Sequence, residues 1–304
     1  MEGTWGDTMN YLAIDIGGSA IKSAIVDADG NILEKNSHPT PLTNFDDFMA
    51  VLYQVVEWGE SRSTIKGIAV SQPCATDTDT AEALSEGALI YIKNTNPARL
   101  LGEKYGYPYA AENDGNCAAL GELWVGGAKD ARNVALVVCG SGIGGAVIID
   151  RKIIPGHRRF AGEFGFFITG FEPDGTPVNW SANGSTLALV KDYAKRSGKD
   201  AETLNGKLVF ELADNGDEVA SACVTQFFKN FAYGLHNLQH VYDPELILIG
   251  GAVSNRHDFI EKIEAQFDIL YQQLFGFMSR PLIQRCEKGA DANLIGAVYH
   301  LLQK

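Results

Sequence analysis

The sequence predicts an α/β protein of two lobes, each built on a glycine-tipped β-hairpin. Three observations carry this. A chain of 304 residues is long enough for about two domains, each burying its own core. An apolar run, a glycine turn and a second apolar run ending in aspartate occur twice, at "YLAIDIGGSAIKSAIVDADGNIL" (11–33) and "NVALVVCGSGIGGAVIIDRKII" (133–154). Segments with apolar residues at helical spacing lie between and after these two copies.

Composition sets the outer limits. Apolar residues make up 45% of the chain and charged ones 21%, which argues for a globular protein and against disorder or a fibrous fold. The net charge of −13, with no long Lys/Arg run, disfavours nucleic acid and anionic membrane as partners. The longest apolar stretches are strand-sized, so no membrane span is expected. The leader MEGTWGDTMN is acidic and polar, unlike a signal peptide; a cytoplasmic address is expected, with Met9 an alternative start. Five scattered cysteines, Cys74, Cys117, Cys139, Cys223 and Cys286, read as reduced core residues.

Each element follows in order. Aligning Gly17 with Gly140 brings Asp27 onto Asp150, so one supersecondary unit occurs twice. After the glycines, "SAIKSAIVD" and "GGAVIID" are β-branched and alternating, which favours strand over helix. A dinucleotide fold needs a helix at that point, and no G-x-x-x-x-G-K-[ST] is present, so both common nucleotide loops are excluded. Glycine hairpin tips let backbone N–H groups approach phosphate oxygens, and two of them can clasp a polyphosphate. Helices are expected at 44–60, 185–198 and 219–242, the last apolar and buried. "DPELILIGGAVS" (243–254) is a buried strand ending on a glycine pair, and the last stretch, "DANLIGAVYHLLQK", is helical.

"YAAENDGNCAALGELW" (109–124) holds the chemistry-bearing carboxylate. Asp114 follows a strand-like run and opens a helix-spaced one. It can be the helix N-cap. A carboxylate at such a junction can equally act as a general base toward a substrate hydroxyl.

Five motifs in order, "DIGGSAIKSAIVD", "ENDGNCAALGE", "GSGIGGAVIID", "AGEFG" and "LILIGGAVS", resemble the ROK family of bacterial sugar kinases and related repressors, from residue 11 to the C-terminus. The resemblance implies an actin/hexokinase-like fold with ATP in an interlobe cleft. It implies a small lobe of 1–115 completed by a C-terminal helix, 291–304, and a large lobe of 116–290. Asp15, Gly17, Gly18, Ser19 and Lys22 match the first phosphate motif, with Asp15 organising Mg²⁺ and water; Ser19 replaces the usual threonine and keeps its hydroxyl. Gly140, Ser141, Gly142, Gly144 and Gly145 match the second, and Gly250 and Gly251 the turn near the nucleoside. By the same resemblance Asn113 and Asp114 bind outer sugar hydroxyls, Asp114 being the base, and Glu163 binds hydroxyls near the anomeric end. For Glu163 the plain alternative is a surface salt bridge. A homodimer is implied by the family only.

One departure matters. Most of the family follow the AGE motif with a metal-ligating histidine and a zinc-holding cysteine cluster. Here Phe166 stands at that position, 166–185 contain neither cysteine nor histidine, and His157 lies upstream and alone. No zinc site is expected. The chain therefore resembles the zinc-less branch, which includes β-glucoside kinases, and Asn183 and Ser185 are candidates for the missing sugar contacts. An ATP- and Mg²⁺-dependent kinase acting on a primary hydroxyl, O6 of a glucose-type ring or β-glucoside, follows. N-acetylmannosamine kinase or fructokinase is the alternative within the class. A sugar-responsive repressor needs an N-terminal winged helix, and a phosphate motif beginning by residue 15 leaves no room for one.

Overall fold

The computed structural model describes residues 9–274 and 279–304. The alternative start at Met9 bears on a leader, residues 1–8, that lies outside them. Two compact units emerge. The first comprises the chain up to Asp130 together with Pro155–Ala161 and Ala290–Lys304; the second comprises Ala131–Ile154 and Gly162–Gly289.

In the first unit, β1 (Asn10–Ile16), β2 (Ala20–Asp27) and β3 (Ile32–Pro39) form an antiparallel meander. Helix α1 (Phe45–Arg62) leads to β4 (Ile65–Gln72), α2 (Pro97–Tyr105) to β5 (Tyr109–Asn113), and β5 runs straight into α3 (Asp114–Val125). Both β4 and β5 are parallel additions, which gives the sheet order β3-β2-β1-β4-β5. Helix α1 forms where expected because Asn44 caps it, accepting from Asp47 N at 2.9 Å, and because Phe48, Leu52, Val55 and Val56 make one buried stripe.

The second unit repeats the plan. Strands β6 (Val134–Cys139), β7 (Ile143–Ile149) and β8 (Lys152–Ile153) form the meander, and β9 (Leu246–Gly250) and β10 (Ile283–Arg285) add in parallel, in the order β8-β7-β6-β9-β10. Its main helices are α4 (Thr186–Ser197), α5 (Gly206–Asp214), α6 (Glu218–Tyr242) and α7 (Phe259–Gln273). Phe227, Phe228 and Phe231 of α6 pack with Trp180 and Phe259 into a fully buried aromatic core. Gly234 is glycine because any side chain there would enter the Trp180 ring.

The final helix α8 (Ala292–Leu302) belongs to the first unit. This moves one boundary. A division at 115 is expected from the sequence, yet α3 stays with the first unit because it crosses α8 at bare backbone. A Cβ on Gly121 would strike the Ala292 carbonyl, and one on Gly296 the Cys117 carbonyl. The C-terminal segment of this unit begins at Ala290 and carries α8. Four cysteines are buried and Cys286 is partly so, and no disulfide joins any two of them.

Candidate active site

In the first unit the chemistry collects at the carboxyl ends of parallel strands. Register pairs Asp15 with Ser71 and Ser71 with Glu112, and places Gln72 beside Asn113. Asp15 is buried, and its Oδ1 accepts from Ser71 Oγ at 2.8 Å and from Asn293 Nδ2 at 3.1 Å. Lys22 Nζ stands 3.7 Å from its Oδ2. The hairpin tip is braced rather than loose: Gly17 N donates to Ala20 O at 3.0 Å, and Thr40 donates to Gly17 O and Ser19 O at 2.7 and 3.1 Å. A Cβ on Gly17 would lie 2.8 Å from Ala20 O, so this glycine is required by the turn; Gly18 and Ser19 are exposed at the tip.

The capping expectation needs correction. Asn113, not Asp114, is the N-cap of α3: its Oδ1 accepts from Asn116 N at 3.1 Å. Asp114 is the first helical residue, its Oδ1 held by Gly115 N at 2.8 Å and Asn113 Nδ2 at 3.0 Å. The positive end of α3 favours the ionised carboxylate there. Asn113 is therefore engaged with Asp114, Asn116 and Cys74 O. Beneath it lies Glu112, absent from the sequence reading. Burial raises the Glu112 carboxyl above the usual range, against hydrogen bonds from Asn116 and Asn113 N and the positive charges of Arg159 and Lys304.

In the second unit the glycines divide in two. Around Gly140 and Gly144 an added Cβ would meet nothing within 4 Å, and around Gly142 only Ser181 Oγ at 3.5 Å. Their missing side chains leave open space. Gly145 and Gly251 are different, because a side chain on the first would strike Leu136 O and the Phe164 ring, and one on the second the Cys139 carbonyl, where φ is also +93°. Those two glycines serve packing. Gly250 lies between, with Cys286 Sγ at 3.1 Å from its would-be Cβ.

Gly140 and Ser141 open onto a cavity of about 810 Å³ lined also by Thr186, Leu187, Leu204, Phe210, Val253 and Arg256. That volume suits a nucleotide-sized ligand. The N-terminus of α4 is tied to the hairpin, Thr186 N donating to Gly140 O at 2.9 Å, and the N-terminus of α5 enters the wall at Asn205, Gly206 and Lys207. Two helix N-termini beside a side-chain-free turn make an anion-favouring corner. Sequence reasoning missed this wall because α4, α5 and the 252–256 turn are far apart in the chain, and only Gly250 and Gly251 pointed to it.

The remaining candidates scatter. Glu163 is exposed and makes no ion pair among the described residues, and removal of water by the surrounding protein raises its carboxyl pKa. Phe166 follows it in one 3₁₀ turn, 70% exposed. Asn183 has partners of its own: its Oδ1 accepts from Thr169 Oγ1 at 2.9 Å, its carbonyl takes Asn230 Nδ2 at 2.7 Å, and it lines a cavity of about 200 Å³. Ser185 is buried as the N-cap of α4, its Oγ accepting from Ala188 N at 3.1 Å. His157 is exposed. Among the described residues no three His, Cys, Asp or Glu side chains converge to hold a metal.

Two sheets of one topology, each with a glycine hairpin, and carboxylates at parallel strand ends define the actin/hexokinase-like class of phosphotransferases. The chain belongs to the ROK family, which it matches over residues 11–304. It is 34% identical to a β-glucoside kinase of Klebsiella pneumoniae across 97% of both chains. A ROK family protein from Streptococcus pneumoniae TIGR4, solved in complex with sucrose, is also 34% identical, with a TM-score of 0.88 over 97% of this chain and 98% of that one. A ROK glucokinase from Streptomyces griseus, solved with glucose and AMPPNP, shares the fold at a TM-score of 0.82 and 24% identity, covering 97% and 100%.

Proposed function

We propose that this enzyme is an ATP-dependent sugar kinase that phosphorylates O6 of a glucose ring, β-glucosides included. The observation that carries the reaction type is Asp114, a carboxylate fixed by Asn113 Nδ2 and Gly115 N at the mouth of a parallel strand end. Asp114 takes the proton from the attacking hydroxyl, and Asn113 and Gly115 hold the carboxylate in one orientation while it does so. The cavity of the second unit receives the nucleoside, and the amides at Gly140 to Gly144 meet the phosphates. Asp15, a buried carboxylate with acceptor capacity at Oδ2, fits a hydrated Mg²⁺, which when bound neutralises phosphate charge. Lys22 and the hairpin around Gly17 to Ser19 complete the phosphate side. Glu163 takes hydroxyls toward the anomeric end.

The β-glucoside assignment rests on Phe166. An exposed ring one turn from Glu163 provides an apolar wall without a hydrogen bond, which tolerates substitution at the anomeric carbon. No helix among the described residues is long and apolar enough to cross a membrane, and the need for ATP favours the cytoplasm; the family resemblance favours a homodimer, which sedimentation can check. Two measurements test the reading. Asp114→Asn should lower kcat by at least ~100-fold while glucose binding persists. In a substrate panel, cellobiose or an aryl β-glucoside should match or exceed glucose in kcat/KM, and 6-deoxyglucose should not react. Preference for N-acetylmannosamine or fructose by more than ~10-fold, about 1.4 kcal/mol in the transition state, would defeat the glucoside assignment.

A further inference from the structure

Arg256 stands in the wall of the 810 Å³ cavity with its guanidinium edge enclosed by two carboxylates. Nη1 and Nη2 donate to the two oxygens of Asp214, both at 2.8 Å. Nη2 also donates to Asp258 Oδ2 at 2.9 Å, and Nε lies 2.6 Å from Asp258 Oδ1. Three of its five N–H groups are thus held by carboxylates and the charge is more than matched, so Arg256 has little net charge to offer a phosphate. Its faces are another matter. The guanidinium carbon sits 4.9 Å from the centroid of the Phe210 ring, and Phe210 lines the same cavity. One face of the guanidinium is thus backed by an aromatic ring of the same wall. Leu187, Leu204 and Val253 add apolar surface suited to a planar ring, beside the polar Thr186, Asn205 and Asn255. The charged pair Lys207 and Glu211, also in the wall, lies 3.7 Å apart and is largely exposed.

We propose that Arg256, supported on Phe210 and clamped by Asp214 and Asp258, is the platform on which the nucleobase of the phosphate donor stacks, selecting purine over pyrimidine donors by overlap. This rests on the assignment of the cavity to the donor nucleotide. A clamped guanidinium is pre-organised, so stacking on it costs little side-chain entropy. Overlap scales with ring area and is indifferent to the ring's edge, so adenine and guanine nucleotides should bind alike and cytosine nucleotides more weakly.

The test is calorimetric titration of ATP, GTP, CTP and inorganic tripolyphosphate, each with Mg²⁺, into the wild-type protein, Arg256→Lys and Leu187→Trp. Arg256→Lys keeps a cation between the two aspartates but removes the plane. It should weaken ATP and GTP by roughly ten-fold, CTP by less, and tripolyphosphate not at all, the last also reporting an intact fold. Equal losses for ATP and tripolyphosphate would show Arg256 serving the phosphates, and undiminished ATP binding would show it serving neither; both overturn the platform. Leu187, 42% exposed on the first turn of α4, can be enlarged without entering the core. Leu187→Trp narrows the cavity and should weaken ATP binding by at least ~10-fold. ATP binding as tight as in the wild type would place the donor elsewhere, a failure of the donor-site assignment itself and separable from the Arg256 result.

Discussion

The two hairpins share a topology and differ in everything that does chemistry. With Gly17 on Gly140, Asp15 falls on Val138, so the first hairpin carries a buried acid at its strand end and the second an apolar residue. The first is closed upon itself: Gly17 is needed by its own turn and Thr40 pins the tip. The second is open. Gly140 and Gly144 have empty space where side chains would be, and Gly140 lines a cavity. A duplicated scaffold has thus specialised, with one copy holding a fixed charge and the other presenting bare backbone. In the function proposed above, the first would hold the hydrated cation and the second would meet the phosphates and the nucleoside.

The largest effect should come from removing the charge that only one copy has. Asp15→Asn keeps the hydrogen bond that Oδ1 accepts from Ser71 and removes the carboxylate. We expect kcat to fall by roughly 10³-fold, as for loss of a principal electrostatic group in phosphoryl transfer, with little change in stability. Omission of Mg²⁺ should likewise stop turnover, while a zinc-selective chelator should leave folding and activity unchanged. A variant within ten-fold of wild type would show that the two hairpins are chemically equivalent after all.

This asymmetry also marks what could be read from the sequence. The hairpins and the helices at 45–62, 186–197 and 218–242 were legible because local periodicity and glycine placement encode them. That each hairpin is part of a five-stranded sheet repeated strand for strand was not. "IKGIAVSQ" and "LILIG" occupy matching places with no common motif, because a buried parallel strand asks only for apolar bulk. Pro155–Ala161 belongs to the first unit although its neighbours in sequence belong to the second, held there by Arg159 on Thr78 and Asp77. Asp114 opens α3 as expected of that junction, but the N-cap role falls to Asn113, since either residue type can cap and only backbone geometry decides.

The next effect distinguishes the units by acid. His300, on α8 of the first unit, has its pKa lowered from the usual 6.5 to about 4, chiefly by burial and then by Lys304, and its Nε2 has no hydrogen-bond partner. The folded state keeps it neutral while the unfolded chain takes a proton below pH 6.5. Its contribution is therefore complete above pH 6.5 and lost as pH falls toward about 4, up to about 3 kcal/mol in all. Trp124, stacked on Tyr299 one residue away, reports the first unit, and Trp180 the core of the second. Urea melts followed on each tryptophan, using a Phe at the others, should show the first unit weakening more steeply between pH 6.5 and 4. His300→Gln should flatten that slope; an unchanged slope would assign the acid sensitivity to carboxylates instead.

The smallest effect is the sharpest test of the open hairpin, because it sets glycines of one motif against each other. Gly145→Ala has no room beside Leu136 O and Phe164, so it should destabilise the second unit by about 2 kcal/mol, with ATP affinity in the surviving folded protein near normal. Gly140→Ala and Gly144→Ala meet nothing within 4 Å in the protein, so their stability should be unchanged or slightly raised. What an added methyl can obstruct at those two positions is a ligand approaching the backbone. The expected result is a KM for ATP raised about ten-fold, roughly 1.4 kcal/mol, with the KM for sugar unmoved. Thermal melts and initial rates on the three variants read both quantities. If Gly140→Ala and Gly144→Ala leave the KM for ATP untouched, the space around them is ordinary solvent, and the phosphates must be sought at the first hairpin alone.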